Sequence, residues 1–167
     1  MQKIYLLSTG GTIEKVYSEQ SGSVENLDTK IDRYLRALRL PDLAIEAVHV
    51  MNIDSLQMTD EDRGRILEVV REKLQSPAPM IITHGTDTMV DTGLLLKQNL
   101  PDLTVPIVMT GAMTPLGFEG SDGLQNLTES LLAARILPPG IYVAMHNQVF
   151  PIDRVYKDRE RARFVWK

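Results

Sequence analysis

The chain contains no cysteine among its 167 residues. Disulfides, thiolate nucleophiles and cysteine-based metal sites are thereby excluded, although the absence assigns no compartment by itself. Histidine is almost as scarce, with His49, His84 and His146 as the whole set. Their separations match no metal-ligand spacing, so neither a metal nor a cofactor is expected. Long apolar runs are missing as well. Ile4-Tyr5-Leu6-Leu7 stops at Ser8, too short for the apolar stretch of a signal peptide and far too short to cross a bilayer. A cytoplasmic location and no membrane partner are the expectations. Positive charge is not in excess either, since the formal net charge is -4, which argues against nucleic acid as a partner. The one basic cluster, Arg154 to Arg163, is interrupted by Asp158 and Glu160. Phosphate-loop signatures are lacking too: neither Gly-x-Gly-x-x-Gly nor Gly-Lys-Ser/Thr occurs.

What is present is an ordinary globular composition, 43% hydrophobic and 24% charged, in a length suited to a single domain over residues 1–167. Apolar runs and helical periodicity alternate along it. Lys3 to Thr9, Ala44 to Ile53, Pro79 to Thr83, Val105 to Thr110 and Ile141 to Met145 read as strands, followed by a short returning strand from Val149 to Val155. Helices are expected over Thr29 to Leu40, closed by Pro41, over Thr59 to Gln75, over Met89 to Leu100, and from Ser121 or Asp122 to Ile136. Thr59 with Asp62 three positions later is an N-cap pattern. The alternation predicts an α/β fold of three layers, a mostly parallel sheet with helices on both faces. Ligands of such sheets bind beyond the C-terminal ends of the strands. Four loops rich in Gly, Thr, Ser and Asp fall there: Thr9 to Thr12, Asn52 to Ser55, His84 to Thr88 and Gly111 to Gly120.

Each loop supports a plain reading beside a chemical one. Thr9-Gly10-Gly11-Thr12-Ile13 is either a strand-to-loop turn with a capping threonine or a place where a ligand approaches peptide N–H groups beside a hydroxyl. His84-Gly85-Thr86-Asp87-Thr88 is either an Asp/Thr helix cap or a hydroxyl and a carboxylate set at the positive end of a helix. His84 reads as a satisfied structural histidine. Lys157 reads as a solvated charge unless the fold brings it under Thr86 and Asp87, where it could transfer protons.

Together the segments Ser8-Thr9-Gly10-Gly11-Thr12-Ile13, Asn52-Ile53-Asp54-Ser55, Ile82 to Met89, Thr110-Gly111-Ala112-Met113 and Ser121-Asp122-Gly123 with Asn126-Leu127 resemble the bacterial-type L-asparaginase family, in its order. The resemblance implies a Rossmann-like asparaginase N-terminal domain that hydrolyses the side-chain amide of L-asparagine to L-aspartate and ammonia. By position it makes Thr12 the nucleophile, Tyr17 the assisting tyrosine, and Thr86, Lys157 and Asp87 the second catalytic group. It further assigns Gly11, Ser55, Thr86, Asp87 and Ala112 to substrate binding, with Asp87 on the α-ammonium, Ser55 on the α-carboxylate and the Ala112 carbonyl on the amide nitrogen. Leu56 stands where many members carry a polar residue, often Gln. The chain is similar to short, single-domain members, without the C-terminal domain that lends a glutamate to a neighbouring subunit. A homo-oligomer, dimer or tetramer, is therefore expected to complete the site. A related amidase acting on glutamine, or a module that binds asparagine or aspartate without turnover, are the other readings.

Overall fold

The computed structural model describes all 167 residues. In chain order the elements are β1 (Gln2–Gly10), β2 (Val16–Ser18), β3 (Ser23–Glu25), α1 (Ile31–Ala37), β4 (Leu43–Ile53), α2 (Asp60–Lys73), β5 (Met80–Thr83), α3 (Met89–Asn99), β6 (Pro106–Thr110), α4 (Gly123–Ile136), β7 (Gly140–Met145), β8 (Gln148–Pro151), β9 (Val155–Asp158) and β10 (Arg163–Trp166). Short 3₁₀ turns lie at Thr12–Glu14 and Ile152–Arg154.

Six strands form the central sheet in the order β4-β1-β5-β6-β7-β8. The first five run parallel and β8 returns antiparallel to β7. Side-chain alternation splits the core into two layers. Tyr5, Leu7, Met80, Ile82, Ile107 and Met109 meet Ile66 and Val70 of α2 and Leu96 of α3 on one face. Ile4, Leu6, Ile81 and Val108 meet Ile31 of α1 and Leu127 and Leu131 of α4 on the other. Because both faces are covered, the central strands read as unbroken apolar runs. The protein is thus the α/β, three-layer, mostly parallel sandwich that the sequence predicts. No helix is long and apolar enough to cross a membrane.

Helix α2 begins as the sequence indicates. Thr59 Oγ1 accepts from the Asp62 N–H and Asp62 Oδ2 accepts from the Thr59 N–H, a reciprocal capping box. Two other expectations are corrected. Helix α1 covers only Ile31–Ala37, because Leu38 turns to extended backbone and Leu38 and Leu40 pack with Leu43 and Ile45 against the core instead of continuing the helix. The strand expected from Val149 to Val155 ends at Pro151, which has no N–H to extend the ladder. A 3₁₀ turn follows, and Ile152 drops into the core. The chain then re-emerges as an unforeseen hairpin, β9 with β10. Its Val155 and Phe164 are buried in the α3-side layer, and Trp166 stacks edge-on against Phe150 at 4.9 Å. This hairpin brings Lys157 back over the C-terminal end of the sheet.

Candidate active site

The four loops at the C-terminal strand ends touch one another through glycine. Gly11, after β1, has φ +76 and ψ -173, a conformation reserved for glycine. A Cβ there would lie 2.3 Å from the Gly85 nitrogen, so the loops after β1 and β5 meet backbone to backbone. A Cβ on Gly85 would stand 2.4 Å from Ser55 Cβ and Oγ, which brings in the loop after β4. A Cβ on Gly111 would be 2.4 Å from the His84 carbonyl and 3.4 Å from Thr86 Cγ2, which brings in the loop after β6. Gly11, Ser55, Thr86 and the Gly111-Ala112 pair are therefore gathered at one place, with Thr12 following directly on Gly11.

Over this cluster sits the lysine of β9. Lys157 Nζ donates to Thr86 Oγ1 at 2.7 Å and to Asp87 Oδ1 at 2.9 Å, and its side chain is 15% exposed against 27% for Asp87. Arg159 reaches the same Asp87 oxygen at 3.4 Å. The Met113 sulfur lies 3.8 Å from the Thr86 hydroxyl. An ammonium held on a hydroxyl oxygen stabilises negative charge as it develops there, and its neutral form would take the hydroxyl proton. The plain reading of Thr88 as a side-chain cap does not hold: it is the N-cap residue of α3 but makes no cap bond, and donates instead to the Ser55 carbonyl at 2.9 Å. Likewise no side chain caps the turn at Thr12, where Gly11 is the N-cap. Tyr17 stands apart, on β2 of an exposed hairpin, at 60% exposure and outside the Lys157 network.

A second set of side chains holds these loops in place. His84 is buried, and burial pulls its ring down to about 4, so it is neutral near pH 7. Its Nδ1 bonds the Gly85 carbonyl at 2.8 Å, which places the ring proton there and leaves Nε2 to accept from Thr92 Oγ1 at 2.8 Å. This is the satisfied structural histidine the sequence suggests. Asn26 Nδ2 donates to the Gly11 carbonyl and to Asn52 Oδ1, both at 2.9 Å. Lys30 Nζ bridges the carbonyls of Lys15 and Leu116. Lys15 pairs with Asp54 at 2.5 Å. Burial pushes the Asp54 carboxyl up, but the Lys15 bond and the Leu56 N–H outweigh it and leave the group below its ordinary range. Glu14 closes the Thr12 turn from beneath, wholly buried, with no partner on either oxygen. Burial above all raises it to about 7, against a lowering by the nearby Gly10 backbone N–H, which does not reach hydrogen-bonding geometry, and with a smaller push from Asp32. None of Asn26, Lys30 and Glu14 carries a sequence signal, because their roles come from the loops they meet. No group of three or more His, Asp or Glu side chains is placed to hold a metal ion.

A family model described as "Asparaginase, N-terminal" matches residues 3–163. The chain belongs to the asparaginase family. It is 35% identical over 156 residues to the L-asparaginase of Thermococcus kodakarensis, a match covering 93% of this chain and 47% of that protein. It is 31% identical over 151 residues to a component of the glutamyl-tRNA(Gln) amidotransferase of Methanococcus vannielii, covering 89% of this chain and 35% of that one. The solved thermostable L-asparaginase of T. kodakarensis superposes with a TM-score of 0.86 at 32% identity, over 99% of this chain and 51% of the other. The chain thus spans about half the length, or less, of the relatives it matches.

Proposed function

We propose that this asparaginase-family chain hydrolyses the side-chain amide of L-asparagine to L-aspartate and ammonia. The supporting observation is the Lys157–Thr86–Asp87 group, joined at 2.7 and 2.9 Å, packed through Gly11 and Gly85 against the loop that bears Thr12. In this reading the Thr12 hydroxyl attacks the amide carbon, with Tyr17 or the Lys157 group receiving its proton. The N–H groups of Thr12 and Thr86 face the oxyanion, a contact worth ~3 kcal/mol when one donor is removed from a hydrolase. The amide nitrogen, donating to the Ala112 carbonyl, leaves as ammonia once protonated. Water then cleaves the aspartyl ester. Asp87 Oδ2, which Lys157 and Arg159 leave free, takes the α-ammonium, and Ser55 the α-carboxylate. Tyr17 and Leu56 are exposed, at 60% and 64%, and in this reading a second copy of the chain completes the site in a homo-oligomer.

Purified chain should release ammonia from asparagine, and folded Thr12→Ala and Thr86→Ala proteins should not. Full activity in both variants would reject the mechanism. Asparagine that raises the melting temperature without ammonia release would instead mark a binding module. The similarity to an amidotransferase component favours one further reading, an amidase for a larger or longer amide. Comparing kcat/KM for asparagine, glutamine and an asparaginyl dipeptide separates the two, because a polar site rejects the wrong chain length. A solution mass above that of one chain is expected.

A further inference from the structure

Asp122 lies at the start of α4, beyond the loop that bears Ala112, and no step above employs it. Its carboxylate accepts the Met113 N–H at 3.0 Å on each oxygen and the Thr114 N–H at 2.9 Å. Oδ2 also accepts from Asn126 Nδ2 at 3.0 Å and bonds His146 Nε2 at 2.7 Å. Asn126, itself buried, continues the clamp: its Nδ2 donates to the Gly111 carbonyl at 2.9 Å and its Oδ1 accepts the His146 N–H at 2.9 Å. Although Asp122 is the N-cap residue of α4, its side chain makes no cap bond. It serves the preceding loop instead.

The consequence follows from peptide planarity. The Ala112 carbonyl and the Met113 N–H belong to one rigid plane and point in opposite directions. Fixing the N–H therefore fixes the carbonyl. Ala112 is fully buried, yet its carbonyl accepts no hydrogen bond from the chain. More than nine in ten buried backbone groups are paired, although unpaired carbonyls are less rare than unpaired N–H groups; in the proposed reading the substrate amide supplies the missing donor. Bonds from N–H groups to an ionised carboxylate are roughly twice as strong as neutral ones, which makes the hold firm. Burial pushes the Asp122 carboxyl up, but the Met113 and Thr114 N–H groups and His146 outweigh it and keep the group ionised at neutral pH.

We propose that Asp122 is a positioning residue for amide cleavage: by gripping the Met113 N–H it aims the Ala112 carbonyl at the N–H of the scissile amide. This rests on the amide hydrolysis proposed above. It also makes a prediction that mere loop stability does not. An amide has an N–H to donate, whereas the β-methyl ester of aspartate, with the same acyl group, has none. A misaimed carbonyl therefore slows the amide and spares the ester.

The experiment compares kcat and KM for asparagine and aspartate β-methyl ester in the wild type, Asp122→Ala and Asp122→Asn. Asp122→Ala should lose about tenfold or more in kcat on the amide relative to the ester, one hydrogen bond's worth of alignment. Asp122→Asn keeps an acceptor for the Met113 N–H and should recover part of that loss. Equal losses on both substrates, or none, overturn the proposal. If Asp122→Ala does not fold, His146→Ala takes its place, removing one bond to the carboxylate from a partly exposed side chain. Its amide-to-ester ratio should fall in the same direction by a smaller factor, and an unchanged ratio overturns the proposal. A wild type that cleaves neither substrate would defeat the proposed hydrolysis itself; one that cleaves both, with ratios unmoved in the variants, would defeat only the role of Asp122.

Discussion

Replacing Glu14 by glutamine isolates the contribution of one buried carboxyl to the turn that carries Thr12. An ordinary glutamic acid ionises at 4.5, and Glu14 at about 7, because burial penalises its charged form by more than the nearby Gly10 N–H favours it, and Asp32 adds repulsion. Between those values the unfolded chain has released the proton while the folded chain retains it. The folded state then binds more protons than the unfolded one, so stability falls as pH rises. The contribution is fully present below 4.5 and is lost as pH passes through about 7. At ~1.4 kcal/mol per pH unit the interval is worth about 3 kcal/mol, of which about 2–3 lies between pH 5 and pH 8. Urea unfolding at those two pH values, in the wild type and in Glu14→Gln, measures it. The wild type should lose about 2–3 kcal/mol more than the variant, since glutamine fills the same space without titrating. Parallel pH profiles in the two proteins would refute the reasoning and place Glu14 in contact with water or an unrecognised partner.

Other consequences can be checked alongside. Gly11→Ala forces a side chain into a glycine-only conformation and within 2.3 Å of the Gly85 nitrogen; thermal unfolding should show a loss of about 3 kcal/mol or more, with activity gone. Gly22→Ala, also at positive φ but with open space around it, should cost only about 1–2 kcal/mol. Thr59→Ala removes the α2 capping box and should lower stability by about 1 kcal/mol in the same assay, with kcat unchanged. Lys157→Met should leave a folded protein whose ammonia release is reduced about 10²–10⁴-fold, and Lys157→Arg should rescue little, since a guanidinium does not give up its proton.

The parallel layers were legible because burial on both faces leaves plain apolar runs at β1, β5, β6 and β7, separated by helical periodicity. The loops were legible because glycines and hydroxyls cluster where those runs stop. Their mutual contact was not: Gly11 and Gly85 lie far apart along the chain, and only the fold packs them so closely that a Cβ on Gly11 would stand 2.3 Å from the Gly85 nitrogen. Lys157 illustrates the limit most sharply. As one cation in a run of charged residues it has the look of solvated surface, and its placement depends on β9 and β10, two four-residue strands with little pattern of their own. The β2–β3 hairpin is shorter still and largely exposed, so no apolar alternation announced it or where it puts Tyr17. Asp122 lay in a recognisable motif, but its bonds run back to the preceding loop, a direction that helix-cap patterns do not suggest.

The central claim is that Thr12 attacks substrate in a site completed by the Lys157–Thr86–Asp87 group. Mass spectrometry of protein quenched during asparagine turnover tests it most directly, since tryptic cleavage leaves Thr12 on Ile4–Lys15 and Thr86 on Leu74–Lys97. An aspartyl ester on the Thr12 peptide, absent from Thr12→Ala and accumulating or vanishing in Lys157→Met, is the predicted result. Turnover of asparagine with no ester on either threonine peptide, and undiminished in Thr12→Ala, would contradict the account.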